Sequence, residues 1–257
     1  MSELSQDARW MRLALSLAER GLGRVWPNPA VGCVIVKDGK LVGRGWTQPG
    51  GRPHAETVAL AQAGANARGA TAYVTLEPCA HHGKTPPCAN ALVDAGITRV
   101  VCSLEDPDTR VSGQGFQILE DAGINLTTDK LIDEATGINQ GFLLNKTIGR
   151  PMFTLKMAST IDGRIATARG ESRWITGPEA RRQVHLMRAR HDAVLIGAGT
   201  ARTDDPLLDV RDLGLEVANP VRIILDGGLS LPFTSRLART AQDTPLWICH
   251  REGVDKA

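Results

Sequence analysis

Short β-rich runs and helical stretches alternate through the first half of this chain, and few architectures accept that order. Residues 6–20 place Trp10, Leu13, Ala14 and Leu17 at helical spacing with charges between them, and Gly21 and Gly23 stop the helix. "VGCVIV" (31–36) and "KLVGRGW" (40–46) read as two strands joined by the tight turn Lys37-Asp38-Gly39-Lys40. A helix from His54 ends at Gly64, and "ATAYVTL" (70–76) is a buried strand. "PPCANALVDAG" (86–96) is a second helix of this series, with prolines suited to a first turn. The strand "ITRVVCSL", the helix "GQGFQILEDAG" and the short strand "INLTT" complete the run. One helix, two strands and then alternation predict an α/β fold, a three-layer domain with a mixed sheet. Residues 129–149 are more polar and predict a short helix, with a domain boundary near Gly149-Arg150-Pro151.

A second α/β unit, again strand–helix–strand with its first strand at its start, is expected beyond that boundary. It starts at "PMFTLKMAST", continues through "RWIT" and a helix from Pro178 to about Arg190, and adds β-rich runs in "DAVLIGAGT", "VRIILDGG" and "PLWICH". The expected division is residues 1–149 and residues 150–257, the second at the small end for a domain of this kind.

Composition narrows the function class. A formal net charge of +2 gives no argument for nucleic acid or an anionic membrane surface. Five scattered cysteines, Cys33, Cys79, Cys88, Cys102 and Cys249, are an odd number and read as a reduced, cytoplasmic protein. The N-terminal residues have no apolar core like a secretory leader, and no stretch is apolar for the roughly 20 residues of a spanning helix.

Chemistry concentrates in two short segments. "HAE" carries His54 and Glu56, and "TLEPCAHHGKTPPC" carries Cys79 and Cys88 with eight residues between them. One histidine and two cysteines match a zinc site that leaves its fourth position to water. His54 and Cys88 are each expected in the first turn of a helix, where the partial positive charge favours thiolates, and Cys79 in the loop after a strand. Glu56 is placed to shuttle protons beside such a water, as in the zinc nucleobase deaminases with their H-x-E and P-C elements. The eight-residue spacing departs from the two-residue spacing of that pattern, so "AHHGKTPP" must loop out and return. A closed structural zinc, with His81 as fourth ligand, is the competing reading, but it gives Glu56 and Pro78-Cys79 no use. Cys33, Cys102 and Cys249 read as small buried hydrophobes.

These residues resemble a known family. "PNPAVGCVIVKDG", "HAE" and "TLEPCAHHGKTPPC" are similar to the deaminase half of the bifunctional deaminase/reductase family of riboflavin biosynthesis, the RibD type. "LKMASTIDGRIA", "GESRWITGPEAR", "RARHDAVLIGAGT", "DDPLLDVR" and "RIILDG" resemble the start of its reductase half. The resemblance implies a cytidine-deaminase-like domain followed by an incomplete dihydrofolate-reductase-like domain. It implies zinc-dependent deamination of a diaminopyrimidinone carrying a phosphoribosylamino group, then reduction of the ribosyl group to ribityl with NADPH.

Carried over by position, His54, Cys79 and Cys88 hold zinc, Glu56 is the proton shuttle, and Asn28 and Lys84 contact the substrate. In the second half, Ala158, Trp174, Thr200, Asp204 and Gly227 match NADP-binding positions. Ser172, Arg188, Leu208 and Arg211 match substrate-binding positions, and Lys156 is a further contact for the sugar or its phosphate. The arginines suit phosphate, which guanidinium groups grip with two parallel bonds. Taken alone, Asn28 is a turn residue between prolines, Lys84 a solvated charge, Arg188 one of several arginines on a helix and Trp174 a core aromatic. Thr47 stands where relatives often have histidine. The family's reductase half continues past the point where this chain stops, so the resemblance implies a fragment or a truncated copy. It also implies a homodimer through paired reductase domains, with a small-molecule substrate as the ligand. Three rivals remain open at this level: a deaminase of a free base, nucleoside or RNA; an active deaminase with an inert reductase remnant; and a zinc-stabilised binding module without activity.

Overall fold

The computed structural model describes residues 3–80, 86–108, 112–214 and 217–254. The chain packs as two units, Met1–Phe153 and Thr154–Ala257.

The first unit is built on five strands: β1 (Gly32–Lys37), β2 (Lys40–Trp46), β3 (Thr71–Val74), β4 (Arg99–Cys102) and β5 (Asn125–Thr127). Their order is β2-β1-β3-β4-β5. β1 runs antiparallel to both β2 and β3, whereas β3, β4 and β5 are mutually parallel. The β1–β2 turn uses Asp38 and Gly39 at φ 49° and 71°, the left-handed pair that a two-residue hairpin favours. Helices α1 (Glu3–Ala18), α2 (Ala55–Ala63), α3 (Cys88–Asp94), α4 (Gln114–Asp121) and α5 (Ile132–Ile148) cover the sheet.

Alternation along β1 sorts the layers. Cys33 and Ile35 face Ala55, Ala59, Leu92 and Leu119 of α2, α3 and α4. Val34 and Val36 face Met11 and Ala14 of α1 and Ala135 of α5. Both faces of β1 are therefore buried, which explains its unbroken apolar run. α1 is fastened by one buried acid. Asp7 accepts two hydrogen bonds from Arg99 of β4, at 2.8 and 2.9 Å, and one from the Tyr73 hydroxyl at 2.8 Å. Burial pushes its carboxyl up, but the bonds from Arg99 and Tyr73 outweigh it and hold the group below the ordinary value.

Two expectations need correction. The stretch 129–149 is no short helix: α5 runs for 17 residues. Gly137 and Gly141 and its polar surface weaken the sequence signal, and tertiary contacts supply what propensity lacks. Ala135 and Ile138 join one core, Phe142 the other, and buried Asn139 bonds both the N–H and the carbonyl of Ala30, at 2.9 and 3.0 Å.

The second unit holds α6 (Pro178–Ala189), β6 (Ala193–Gly197), α7 (Ala198–Asp204), β7 (Val221–Leu225), α8 (Arg236–Arg239) and β8 (Leu246–Cys249). Its three strands are parallel in the order β6-β7-β8, over a core of Ala201, Leu208, Ile224 and Leu237. Arg222 of β7 is almost fully buried and donates to Thr240 Oγ1 and to the carbonyls of Leu207, Leu237, Thr240 and Thr244. The second correction lies here. Residues 151–177, where the strand–helix–strand reading needs its first strand, contain none. A strand needs a neighbour for its backbone groups. No strand of this sheet pairs with that stretch, and Phe153, Leu155 and Met157 remain exposed.

α2 lies directly on β2, and glycine permits it. A Cβ added at Gly43 would stand 2.3 Å from the Ala59 carbonyl oxygen, and one at Gly45 the same 2.3 Å from that of Ala55. Gly45→Ala must therefore push the start of α2 off the sheet. We expect a loss of about 1–3 kcal/mol in urea unfolding; an unchanged midpoint would show that α2 has room to spare.

Candidate metal centre and active-site cavities

The start of α2 places the first donor. His54 is its N-cap residue, with extended backbone (φ −70°, ψ 161°), so the ring projects from the helix end. Cys88 opens α3, and Cys79 follows β3 in the loop. The chain therefore brings two helix starts and one strand end together. His54 Nδ1 lies 3.6 Å from Cys79 Sγ and 3.4 Å from Cys88 Sγ. The ligand atoms of all three residues fall within 4.8 Å of one another. Tetrahedral ligands about 2.0–2.3 Å from one zinc stand roughly 3.5 Å apart, so these donors fit that ion and leave one position open.

The charges agree with this fit. The hydrogen bond between the two thiols, then His54 and the Cys88 N–H, hold Cys79 down at about 4. The same contact, with burial, pushes Cys88 up. A bound divalent cation would hold both as thiolates. Glu56 is buried in the first turn of α2, and burial first, then the Cys79 thiolate, push its carboxyl up to about 7.

One cavity opens onto this cluster. It is lined by Asn28, Thr47, Arg52, His54, Glu56 and Cys79, and also by Glu77, Asp106, Asp108, Phe142 and Lys146. Asn28 Nδ2 donates to the Gly51 carbonyl at 2.7 Å and lies 3.5 Å from His54 Nε2. Thr47 is buried, and its hydroxyl accepts the Val31 N–H at 3.0 Å, so it serves the fold as it lines the cavity. Lys84, with His81 and His82, lies outside the described residues.

The sequence reading passed over Glu77, Asp106, Asp108, Phe142 and Lys146. Glu77 stands in "TLEPC" two residues before Cys79, and that proximity was the one available signal. Its buried carboxylate accepts the N–H groups of Asp106 and Gly113, both at 3.1 Å, and of Gly115 at 2.8 Å. It thus caps the start of α4 and ties the Asp106 loop to the segment bearing Cys79. Phe142 and Lys146 come from α5, whose place against the cavity only the fold reveals.

In the second unit the predicted residues fall into two groups. Trp174 and Arg211 line one hollow with Arg181, Arg182 and His185, and the Arg181 guanidinium stacks 4.3 Å from the Trp174 ring centre. Trp174 is therefore an exposed aromatic, not a core one. Arg188 belongs beside them: it donates to the Asp209 carbonyl at 3.1 Å, and the Arg211 N–H reaches buried His185 Nδ1 at 3.4 Å. Arg188 is thus half-buried and bonded, not a solvated helix charge. Leu208 is buried at φ 56° just before that loop. The second group, Thr200 and Asp204 on α7 and Gly227 after β7, follows the carboxyl ends of parallel strands, the usual ligand side of such sheets. Lys156, Ala158 and Ser172 lie in the strandless stretch, and Lys156 and Ser172 are exposed.

Comparison with known proteins follows the same division. The family model of the cytidine and deoxycytidylate deaminase zinc-binding region matches residues 4–104, and that of the RibD C-terminal domain matches residues 151–257. The chain is 48% identical to the riboflavin biosynthesis protein RibD of Haemophilus influenzae, over 98% of this chain and 70% of that protein. It is 45% identical to RibD of Escherichia coli, over 94% of this chain and 71% of the relative. The solved structure of Acinetobacter baumannii RibD, form 1, superposes with a TM-score of 0.88 at 49% identity, over 97% and 71% of the two chains. A Thermotoga maritima diaminohydroxyphosphoribosylaminopyrimidine deaminase/5-amino-6-(5-phosphoribosylamino)uracil reductase superposes with a TM-score of 0.91 at 40% identity, over 100% and 73%. Among the described residues no helix is long and apolar enough to cross a membrane.

Glu77→Gln keeps the size of the side chain but turns an amide NH2 toward backbone donors. We expect a loss of about 1–3 kcal/mol and faster hydrogen exchange at the Gly113 and Gly115 amides. Wild-type protection at both amides would show that the carboxylate does not hold this loop.

Proposed function

The chain belongs to the RibD family of riboflavin biosynthesis, an enzyme family with a zinc deaminase domain and a reductase domain, and from that premise we propose how its residues divide the work. The first unit deaminates 2,5-diamino-6-(5-phosphoribosylamino)pyrimidin-4(3H)-one to 5-amino-6-(5-phosphoribosylamino)uracil. The observation that carries this reading is the trio His54, Cys79 and Cys88, with ligand atoms within 4.8 Å of one another and buried Glu56 two residues after His54.

His54, Cys79 and Cys88 would hold the zinc. When bound, the metal supplies a Lewis acid that lowers the pKa of water towards ~7. Glu56 takes the proton of the attacking water as its oxygen adds to C2, the ring carbon bearing the exocyclic amine. Glu56 then returns that proton to the departing nitrogen, the C2–N bond breaks, and ammonia leaves. Burial suits Glu56 to this role, because a carboxyl raised towards neutrality both accepts and donates readily. Asn28, against His54 at the cavity wall, and Lys84 orient the pyrimidinone.

The second unit is the reductase domain. When bound, NADPH would supply the hydride for reduction at C1′ of the opened ribosyl group, and this chain's residues would position cofactor and substrate for it. Ala158, Trp174, Thr200, Asp204 and Gly227 serve the cofactor. Lys156, Ser172, Arg188, Leu208 and Arg211 serve the substrate, and the meeting of Arg188 and Arg211 at the Asp209 loop supports a phosphate there.

Ammonia release from the diaminopyrimidinone by the zinc-loaded chain, without NADPH, tests the first reaction. We expect release from the wild type, loss of at least ~10²-fold in kcat with zinc retained in Glu56→Gln, and loss of zinc in Cys79→Ser. Normal turnover by Glu56→Gln, or full metal content in Cys79→Ser, would refute the roles. For the second unit, NADPH should quench tryptophan emission in the wild type and much less in Trp174→Ala. Equal quenching in both would remove Trp174 from the cofactor site.

A further inference from the structure

The deaminase cavity contains a cation that the matched zinc-binding region lacks. That match ends at residue 104, whereas Lys146 sits on α5. Its ammonium lies 2.9 Å from Asp108 Oδ2 and 5.7 Å from the centre of the Phe142 ring, one turn back on the same helix. All three side chains line the cavity. Asp108 is itself held in place. Its N–H donates to Asp106 Oδ1 at 2.9 Å, and the Asp106 N–H donates to Glu77 at 3.1 Å. The ammonium is therefore oriented by a series of contacts that ends two residues from Cys79.

Among the charged side chains of the lining, acids outnumber cations. Glu56, Glu77, Asp106 and Asp108 face the cavity, with Arg52 and Lys146 as its cations among the described residues. A dianionic ligand enters such a space only if its charge is led to a cation. An ammonium has three donors and the bond to Asp108 occupies one, which leaves the others for a ligand.

We propose that Lys146 binds the phosphate of the phosphoribosyl substrate and selects phosphorylated over dephosphorylated substrate. This rests on the deaminase reading above. Asp108 and Phe142 hold the ammonium in position, and the phosphate joins Asp108 as its second anionic partner.

The test uses the zinc-loaded 257-residue chain with the phosphorylated and the dephosphorylated diaminopyrimidinone. In Lys146→Met, KM for the phosphorylated substrate should rise about tenfold or more. Its kcat should stay within about threefold, and KM for the dephosphorylated substrate should not change. Lys146→Arg should restore most of the preference. Lys40→Met, which removes an exposed charge at the start of β2, should match the wild type. Ribose 5-phosphate binding, followed by calorimetry in an Arg211→Ala background to silence the second unit, should weaken by a similar factor in Lys146→Met. Equal changes for both substrates, an unchanged KM for the phosphorylated one, or the same loss in Lys40→Met would overturn the proposal. Should the wild type release no ammonia from either substrate, the deaminase reading fails. The ribose 5-phosphate titration then decides the role of Lys146 by itself, weakened binding supporting it and unchanged binding overturning it.

Discussion

α2 presses against β2 with no side chain between them, because Gly43 and Gly45 stand where any Cβ would strike the helix backbone. The metal centre depends on this contact. It fixes where α2 begins, and His54 caps that beginning while Glu56 occupies the first turn. Cys79 and Cys88 approach from β3 and α3 on the same side of the sheet. Shifting α2 by a fraction of an ångström would separate donors that now stand 3.4 to 3.6 Å apart. The site is thus a consequence of helix–sheet packing, and its geometry is as rigid as the core beneath it.

Buried polar side chains supply the second level of order. Glu77 gathers three backbone N–H groups and carries the Asp106 loop to the cavity. Asn139 satisfies both backbone groups of Ala30 and so joins α5 to the segment bearing Asn28. Arg222 does the same in the second unit, gathering carbonyls from the connections around β7. Each resolves the cost of burying unpaired backbone groups, and each also sets the position of a functional loop. In the first unit, Lys146 of the cavity lining and Glu77 at the start of α4 belong to one hydrogen-bonded series through Asp108 and Asp106.

The second unit shows a different balance. Its core is small, and the residues expected to hold cofactor and substrate are largely exposed. Arg188, His185 and Arg211 nevertheless meet around the Asp209 loop, because α6 presents His185 and Arg188 on one face, three residues apart. The chain spans about 70% of the length of its relatives from Haemophilus influenzae and Escherichia coli.

Much of this was legible in the residues themselves. Period-2 and period-3.6 patterns located the helices and strands of the first unit. "HAE", "EPC" and "PPC" marked the candidate metal donors His54, Cys79 and Cys88, which the fold brings within 4.8 Å of one another. Other features had no local signal. α5 read as only a short helix in a polar stretch, since Gly137 and Gly141 dilute its pattern and part of its support comes from Ala30, more than a hundred residues away. The start of the second unit read as a strand from its apolar residues, yet a strand exists only with a partner, and none pairs with residues 151–177. The sequence alone determined which atoms can bind a metal and move a proton, because those capacities belong to side chains. Which residues wall the cavity, how Lys146 is oriented and what holds the Asp106 loop were decided by tertiary structure, because they depend on contacts between segments far apart in the chain.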